Sequence, residues 1–358
     1  MNHDMSSDMS SDMRSSGASP LDDSIPAAHR AAVNRALEAA FGTSAVDAIT
    51  PLTGGASGAR VFRISVSGTE RLLRIETNRG GAHDPVRQFA CMRIASDAGV
   101  APRVYYASAD EGIALTDFIR ASASASGPAS DAARRARLSS LARAVAVLHA
   151  APLFPPFMSF FDAMDFLVGN LETSGVLPAA ISQRLATRYR AIAAVYPRSD
   201  SELVSSHNDL NPSNVLFEGD RPWLIDWELA FAADRFVDLA ALMNFFATEP
   251  DDEELVLRAY FGREPGAVHR ARALLMQQVN RIYYASMMLQ LAVTAKPDFR
   301  LSETDLGTRS FREVRPGLPP VSSEDGRIRF ACVFLHDALE QMESARFRDA
   351  LTTLQSRG

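Results

Sequence analysis

The sequence predicts an α+β molecule built as two lobes, a small antiparallel sheet followed by a larger, mainly helical part. Three observations carry that expectation. Short alternating apolar runs dominate up to residue 119, whereas apolar residues recur at helical spacing from residue 132 onward. Between them, residues 121–131 read Ala-Ser-Ala-Ser-Ala-Ser-Gly-Pro-Ala-Ser-Asp, a low-complexity linker or exposed loop. The chain has 358 residues, 47% of them hydrophobic, which is enough for a sizeable core and for about two lobes. The expected division is a disordered tail over 1–24, an N-terminal lobe over 25–119 and a C-terminal lobe over 120–358.

Taken in order, residues 1–24 are polar and rich in Ser, Asp and Met, and the unit Asp4-Met5-Ser6-Ser7 recurs as far as Met13. Such a stretch buries too little apolar area to offset its ordering entropy. A helix over 26–41 starts at Pro26, which suits a first turn, and stops at Gly42. Strands over 46–53, 60–67 and 71–77 follow, with Gly54-Gly55-Ala56-Ser57-Gly58 after the first and a Gly68-Thr69 turn after the second. A helix over 86–98 ends at Gly99, and strands over 103–108 and 112–119 complete the sheet. Beyond the linker, helices are expected over 132–150, 162–171, 178–195, 236–247, 252–261, 266–294 and 328–354. Residues 203–228 interrupt them with short apolar runs broken by polar residues, the pattern of an embedded hairpin. A cleft between the lobes is the natural place for a small-molecule site.

Composition removes several function classes. Lys+Arg is 37 against 43 Asp+Glu, a net charge of −6, which argues against a general nucleic-acid binder. Two cysteines, Cys91 and Cys332, are too few for a disulfide framework or a four-cysteine zinc site, and their apolar surroundings mark buried free thiols. No apolar run reaches about 18 residues and the first residues lack an apolar leader core, so no membrane span and no signal peptide are expected, and a cytoplasmic location is. A single lysine, Lys296, stands among the basic residues. Chemistry that needs a lysine near the N-terminus is therefore excluded.

The residues with chemistry gather in the embedded hairpin, Ser206-His207-Asn208-Asp209-Leu210-Asn211-Pro212-Ser213-Asn214, followed by Trp223-Leu224-Ile225-Asp226-Trp227-Glu228. Two aspartates and an asparagine lie on loops beside apolar strands. Hard oxygen ligands of this kind suit Mg²⁺, which takes one or two carboxylates together with phosphate oxygens and water. Asp209-x4-Asn214 alone is a common turn or cap pattern. The ordered set His207, Asp209, Asn214 and Asp226, with Asn214 just before one apolar strand and Asp226 closing the next, is far more specific.

That set resembles the aminoglycoside phosphotransferase/choline kinase superfamily, whose members share a protein-kinase-like fold. The resemblance covers residues 45–295 and is strongest over 204–242. His-Asn-Asp-Leu and Ile-Asp-Trp-Glu look most like the choline/ethanolamine kinase branch, since aminoglycoside kinases more often show His-Gly-Asp. The resemblance implies ATP as donor, Asp209 as catalytic base, and Asn214 and Asp226 as Mg²⁺ ligands. His207 then supports the loop backbone or transfers protons. Asp238, in Phe236-Val237-Asp238-Leu239-Ala240, reads as a helix-start carboxylate compatible with supporting the catalytic loop.

On the nucleotide side, glycines at 54–58 let a backbone approach phosphate, with Gly55 and Ser57 as expected contacts. The loop resembles Gly-Gly-x-Ser/Thr-Asn, with Gly58 in place of the Asn. Arg74, flanked by Leu73 and Ile75, stands where the phosphate-binding cation belongs, and a guanidinium forks onto oxyanions. The resemblance expects a partner Glu near 88 or 90. The sequence has Gln88 and Ala90, so Gln88 is left to hydrogen-bond Arg74, and a weakened or repurposed kinase competes as a reading. Residues 115–119 are the expected hinge, with the backbone around Asp117 and Ile119 holding adenine.

A cationic acceptor needs aromatic faces and carboxylates. Phe245, Phe246 and Tyr284 qualify, and Trp227, Glu228 and Tyr283 are the preferred substrate contacts, Glu228 because it follows Asp226 on the cleft side. Aromatics at helical spacing are more often core, and adjacent Tyr283 and Tyr284 face different ways, so at most one lines the site. The expected function is ATP- and Mg²⁺-dependent phosphorylation of a hydroxyl on choline, ethanolamine or a related amino alcohol. An aminoglycoside or other hydroxylated metabolite is the alternative acceptor, and a nucleotide-binding pseudokinase is the alternative from another class. The expected partner is a small cationic molecule, neither nucleic acid nor membrane, with the oligomeric state left open, a homodimer included.

Overall fold

Two hydrophobic cores organise the chain, and alternation along the strands decides which residues enter each. In this computed structural model the structure describes residues 21, 24–52, 58–121, 130–199 and 202–356. Helix α1 (Ala27–Phe41) follows Pro26 and ends at Gly42, whose φ of 69° is the left-handed stop that glycine takes without strain. Five strands come next: β1 (Ala48–Leu52), β2 (Arg60–Val66), β3 (Thr69–Ile75), β4 (Val104–Ser108) and β5 (Ile113–Asp117). They lie in the order β1-β2-β3-β5-β4, every neighbour antiparallel. Helix α2 (Pro85–Asp97) intervenes between β3 and β4; Asp84 accepts the Val86 N–H as its cap and Pro85 opens the first turn.

Phe62, Ile64 and Val66 of β2, Leu73 and Ile75 of β3, and Ile113 and Leu115 of β5 share one face and pack with Val33 and Leu37 of α1. Each such buried side chain contributes about 1.5–3 kcal/mol. The residues between them, Val61, Leu72, Arg74, Ala114 and Thr116, face the other way. On that second face Ala114 joins Phe89, Met92 and Ala95 of α2 in the larger core. Arg74 is thus carried to the cleft side by strand periodicity alone. The small core also holds Leu21, 5% exposed, whose carbonyl accepts the Ile25 N–H at 2.9 Å. Leu21, which falls within the expected tail over 1–24, is thus part of this core. The tail's repeats and most of the linker lie outside the described residues.

The larger lobe comprises α3 (Asp131–His149), α4 (Phe160–Ser174), α5 (Ala179–Val195), β6 (Leu203–Ser206), β7 (Val215–Glu218), β8 (Arg221–Leu224), β9 (Phe231–Asp234), α6 (Arg235–Phe246), α7 (Asp252–Phe261), α8 (Ala267–Ala295), α9 (Glu324–Glu343) and α10 (Ala345–Gln355), with a one-turn helix at Phe311–Val314. Two expectations change here. Only β7 and β8 form the hairpin, whereas β6 pairs with β9 from Leu203↔Asp234 to Ser206↔Phe231. β9 is four residues, Phe-Ala-Ala-Asp, too short and too uniformly apolar to show a period. The single helix expected over 328–354 is two, parted at Ser344, whose hydroxyl caps α10 by accepting the Phe347 N–H at 3.1 Å. The two small sheets bring the loop after β6 and the loop after β8 side by side. Among the described residues no helix is long and apolar enough to cross a membrane.

Candidate active site

The loop after β6 is built around a buried carboxylate. Asp238 is 0% exposed and lies in the first turn of α6. It accepts two successive backbone N–H groups, His207 at 2.8 Å and Asn208 at 2.7 Å. His149 Nε2 lies 3.0 Å from the same carboxylate, and the Tyr260 hydroxyl 2.8 Å from His149 Nδ1. Burial pushes the Asp238 carboxyl up, but the His149 hydrogen bond and the nearby His207 outweigh it and hold it below the usual range. His207 Nε2 is 2.9 Å from the Ile225 carbonyl, so its ring ties the two loops together, the supporting role. Asn208 adopts φ 62°, a left-handed conformation that Asn takes more readily than most side chains, and its amide donates to the Leu229 and Phe231 carbonyls at 3.0 and 3.2 Å. Glycine is the natural alternative at such a position. Backbone geometry thus accounts for Asn208 before any substrate is considered.

This scaffold presents Asp209. Its Oδ1 accepts from the Tyr284 hydroxyl at 2.8 Å and from the Asn211 amide at 3.0 Å, and its Oδ2 from Asn214 Nδ2 at 2.9 Å. Burial raises the Asp209 pKa above the ordinary carboxylate value, and the Asn211 and Tyr284 hydrogen bonds only partly pull it back. Asn214 Nδ2 also donates to the Asp209 carbonyl at 2.9 Å, while Asn214 Oδ1 meets Ser213 Oγ at 3.4 Å. The Ile225 N–H donates to the Asn214 carbonyl at 3.0 Å, which sets Asp226 beside it. Asp226 sits at φ 68°, and its Oδ1 is buried with no hydrogen-bond partner among the described residues. A carboxylate oxygen without a hydrogen bond, on a loop tied to that of Asn214, is hard oxygen chemistry of the kind Mg²⁺ takes, so these residues fit that ion.

Arg74 completes the site from the opposite lobe. Its Nε lies 2.5 Å from Glu76 Oε1, its Nη2 pairs with Glu228, and its Nη1 is 3.6 Å from Asp226 Oδ1. Burial opposes its charge, but Asp226, Glu76 and Glu228 more than offset this and raise its pKa above the usual value. Gln88 does not make the expected bond to Arg74. Its Nε2 donates to Glu76 Oε1 at 2.8 Å, and its own Oε1 is buried without a partner. His83 Nδ1 stands 3.1 Å from Glu228 Oε2. Arg87 of α2 donates to the Ala230 and Glu228 carbonyls at 2.5 and 2.8 Å, with its guanidinium 4.3 Å from the centre of the Phe157 ring. Sequence reasoning missed Glu76 and Arg87. Glu76 left a signal, since it lies two residues beyond Arg74 and so shares its side of the strand. Arg87 left none.

The remaining expected residues fall as follows. Trp227 is 3% exposed, its ring 4.7 Å from His207 and 6.0 Å from Phe154 between centroids, so it is core and has no face for a substrate. Glu228 is engaged with Arg74 of the sheet lobe rather than standing as a separate carboxylate. Tyr283 packs 6.0 Å from Phe160, and it is Tyr284 whose hydroxyl reaches Asp209. Asp117 turns its side chain to the outer face, onto Arg71 at 2.7 Å and Tyr105 at 2.9 Å, and spends its N–H on the Arg103 carbonyl at 3.0 Å. That leaves it no N–H for adenine. Ile119 is half-buried just past β5. Gly55 and Ser57 lie outside the described residues.

A model of the phosphotransferase enzyme family matches residues 48–275. No curated protein sequence matches the chain. Among solved structures, a choline/ethanolamine kinase family protein from Mesorhizobium loti is 23% identical with a TM-score of 0.62, the match covering 86% of this chain and 92% of that one. A choline kinase from Streptococcus pneumoniae is 13% identical with a TM-score of 0.56, covering 87% and 98%. A spectinomycin phosphotransferase, solved with ADP and spectinomycin, is 14% identical with a TM-score of 0.56, also covering 87% and 98%. At these identities the likeness is one of fold.

Proposed function

The chain belongs to the phosphotransferase enzyme family, and from that premise we propose that it moves the γ-phosphoryl group of ATP onto the hydroxyl of choline, ethanolamine or a related amino alcohol. One observation carries the reading: a half-buried, hydrogen-bonded Asp209, the Asp226 carboxylate and the guanidinium of Arg74, 3.6 Å from Asp226 Oδ1, converge from both lobes on one cleft. Asp209 accepts the hydroxyl proton as the acceptor oxygen attacks the γ-phosphorus in line, and ADP leaves with the electron pair of the broken P–O bond. Tyr284 and Asn214 hold that carboxylate in one orientation, so little reorganisation is left for the reaction itself. Arg74 offsets charge on the phosphates. Magnesium, when bound through Asp226 and Asn214, supplies further neutralisation of that charge. Three carboxylates, Glu76, Asp226 and Glu228, surround the one guanidinium of Arg74, and Asp209 feels the charge of Asp226; this negative balance supports an acceptor that bears an ammonium group.

The test is release of ADP from Mg·ATP across a panel of choline, ethanolamine, sugars and aminoglycosides. Turnover is expected with an amino alcohol, and Asp209→Asn, with an unchanged circular dichroism spectrum, should lower it by about a thousandfold. Turnover confined to aminoglycosides or sugars would overturn the acceptor class. A fully active Asp209→Asn variant would remove Asp209 from the chemistry.

A further inference from the structure

We propose that Glu76 is the carboxylate that positions Arg74 for nucleotide phosphate, a role carried here from the end of strand β3 instead of from helix α2, and that Gln88 serves to hold Glu76. The inference rests on the phosphotransferase reading and concerns how this chain manages without a glutamate on α2. Glu76 is 2% exposed, and a carboxylate that deeply buried is costly unless it is paired. It is paired twice through one oxygen, with Arg74 Nε at 2.5 Å and Gln88 Nε2 at 2.8 Å. Gln88 is equally buried, so a carboxylate at 88 would face Glu76 as a buried like charge. The neutral amide at 88 and the carboxylate at 76 therefore explain one another.

The backbone fixes Glu76 as firmly as its side chain does. The Glu76 N–H donates to the Gly112 carbonyl at 2.7 Å. Gly112 has φ +67°, and a Cβ there would stand 3.1 Å from the Glu76 carbonyl oxygen. With Nε tethered to Glu76, the guanidinium plane is set, and its two Nη groups point at Glu228 and Asp226 across the cleft. A guanidinium has the donors for this three-way arrangement, whereas an ammonium is a point charge on a flexible stem.

The experiment moves the charge instead of only deleting it. Binding of fluorescent N-methylanthraniloyl-ADP with Mg²⁺ is measured for the wild type, Glu76→Gln and the double variant Glu76→Gln/Gln88→Glu, together with KM for ATP, kcat and the melting temperature. Glu76→Gln should weaken nucleotide binding by about tenfold or more and raise KM for ATP, the loss expected from one charge-assisted hydrogen bond. The double variant returns one carboxylate and one amide to the same contact and should recover affinity to within about threefold of the wild type. A merely structural role would lower the melting temperature without this rescue. Affinity of Glu76→Gln within about twofold of the wild type, or a folded double variant that binds no better than Glu76→Gln, would overturn the proposal. If Glu76→Gln does not fold, the double variant decides: folded with near-wild-type affinity supports the proposal, and folded with affinity about tenfold weaker or worse overturns it. A wild type that binds no adenine nucleotide would instead overturn the phosphotransferase reading beneath it.

Discussion

A single hydroxyl distinguishes two adjacent tyrosines. Tyr284 donates to Asp209 Oδ1 at 2.8 Å, while Tyr283 rests against Phe160. A hydrogen bond to a charged group contributes about 1.5–3 kcal/mol, so Tyr284→Phe should lower kcat by about tenfold or more, whereas Tyr283→Phe should stay close to the wild type. Steady-state kinetics on the two variants checks this, and equal losses would show that the hydroxyl does not orient the base. The sequence limits the pair to one site residue but does not say which. Helix α8 is buried on nearly every side, with Leu275, Met276, Ile282 and Ala285 all at 0% exposure, so no polar stripe marks the face that meets Asp209. Trp227 fails for a related reason. The left-handed backbone at Asp226, φ 68°, turns the chain so that the next residue packs against His207 and Phe154 in the core, and residue spacing does not reveal that turn. Asp209, Asn214 and Asp226 are legible because local spacing carries them. Glu76 left only its two-residue spacing from Arg74, and Arg87 matters through partners that folding brings from another element.

Elements are fastened by caps and buried carboxylates as much as by apolar faces. Asp252, 0% exposed at the start of α7, accepts the Thr248 and Glu249 N–H groups at 2.9 Å each and pairs with Arg134 of α3. Burial raises its pKa, but Arg134 and the two backbone donors outweigh this and hold the carboxyl below its ordinary value. The folded pKa is therefore depressed. The stability it contributes is fully present above the unfolded value of about 3.9 and fades as pH falls through the folded one. Asp252→Asn should cost about 2–4 kcal/mol at pH 7, and the gap in melting temperature to the wild type should narrow as pH drops below about 4. A gap that stays constant into acid would show that the charge contributes nothing. The helices themselves were readable because Pro26, Gly42, Gly99 and the apolar periodicity mark them locally. The break at Ser344 was not, since helical patterning continues on both sides and only the cap reveals the stop. Nor was β9, whose identity as a strand is conferred by pairing with β6 across an intervening hairpin.

Across the whole molecule the two lobes meet through arginine, in keeping with a chain that has one lysine. Arg74 reaches from β3 to Glu228, and Arg87 reaches from α2 to the carbonyls of Glu228 and Ala230, while Cys91 Sγ approaches the Ala230 carbonyl at 3.5 Å. All these contacts fall on the short segment that follows Asp226, so the pose of the sheet lobe and the placement of that carboxylate are one mechanical unit. Burial pushes the Arg87 pKa below its usual value, and the Phe157 ring over the guanidinium helps keep the charge out of water. Removing Arg87 takes a hydrogen bond from each of two carbonyls, at about 1 kcal/mol each. Arg87→Leu keeps much of the apolar stem, so its effect reports the loss of the guanidinium, its hydrogen bonds and its contact with Phe157 together. We expect faster backbone hydrogen exchange over residues 226–231, a higher KM for ATP and a smaller change in α9 and α10, which pack away from this junction on α8. Arg87→Lys should fall between the wild type and Arg87→Leu, because an ammonium keeps the charge but lacks the planar fork that spans two carbonyls. Exchange over 226–231 that is the same in all three proteins would mean that the lobes are registered by the cores alone, with Arg87 a bystander to them.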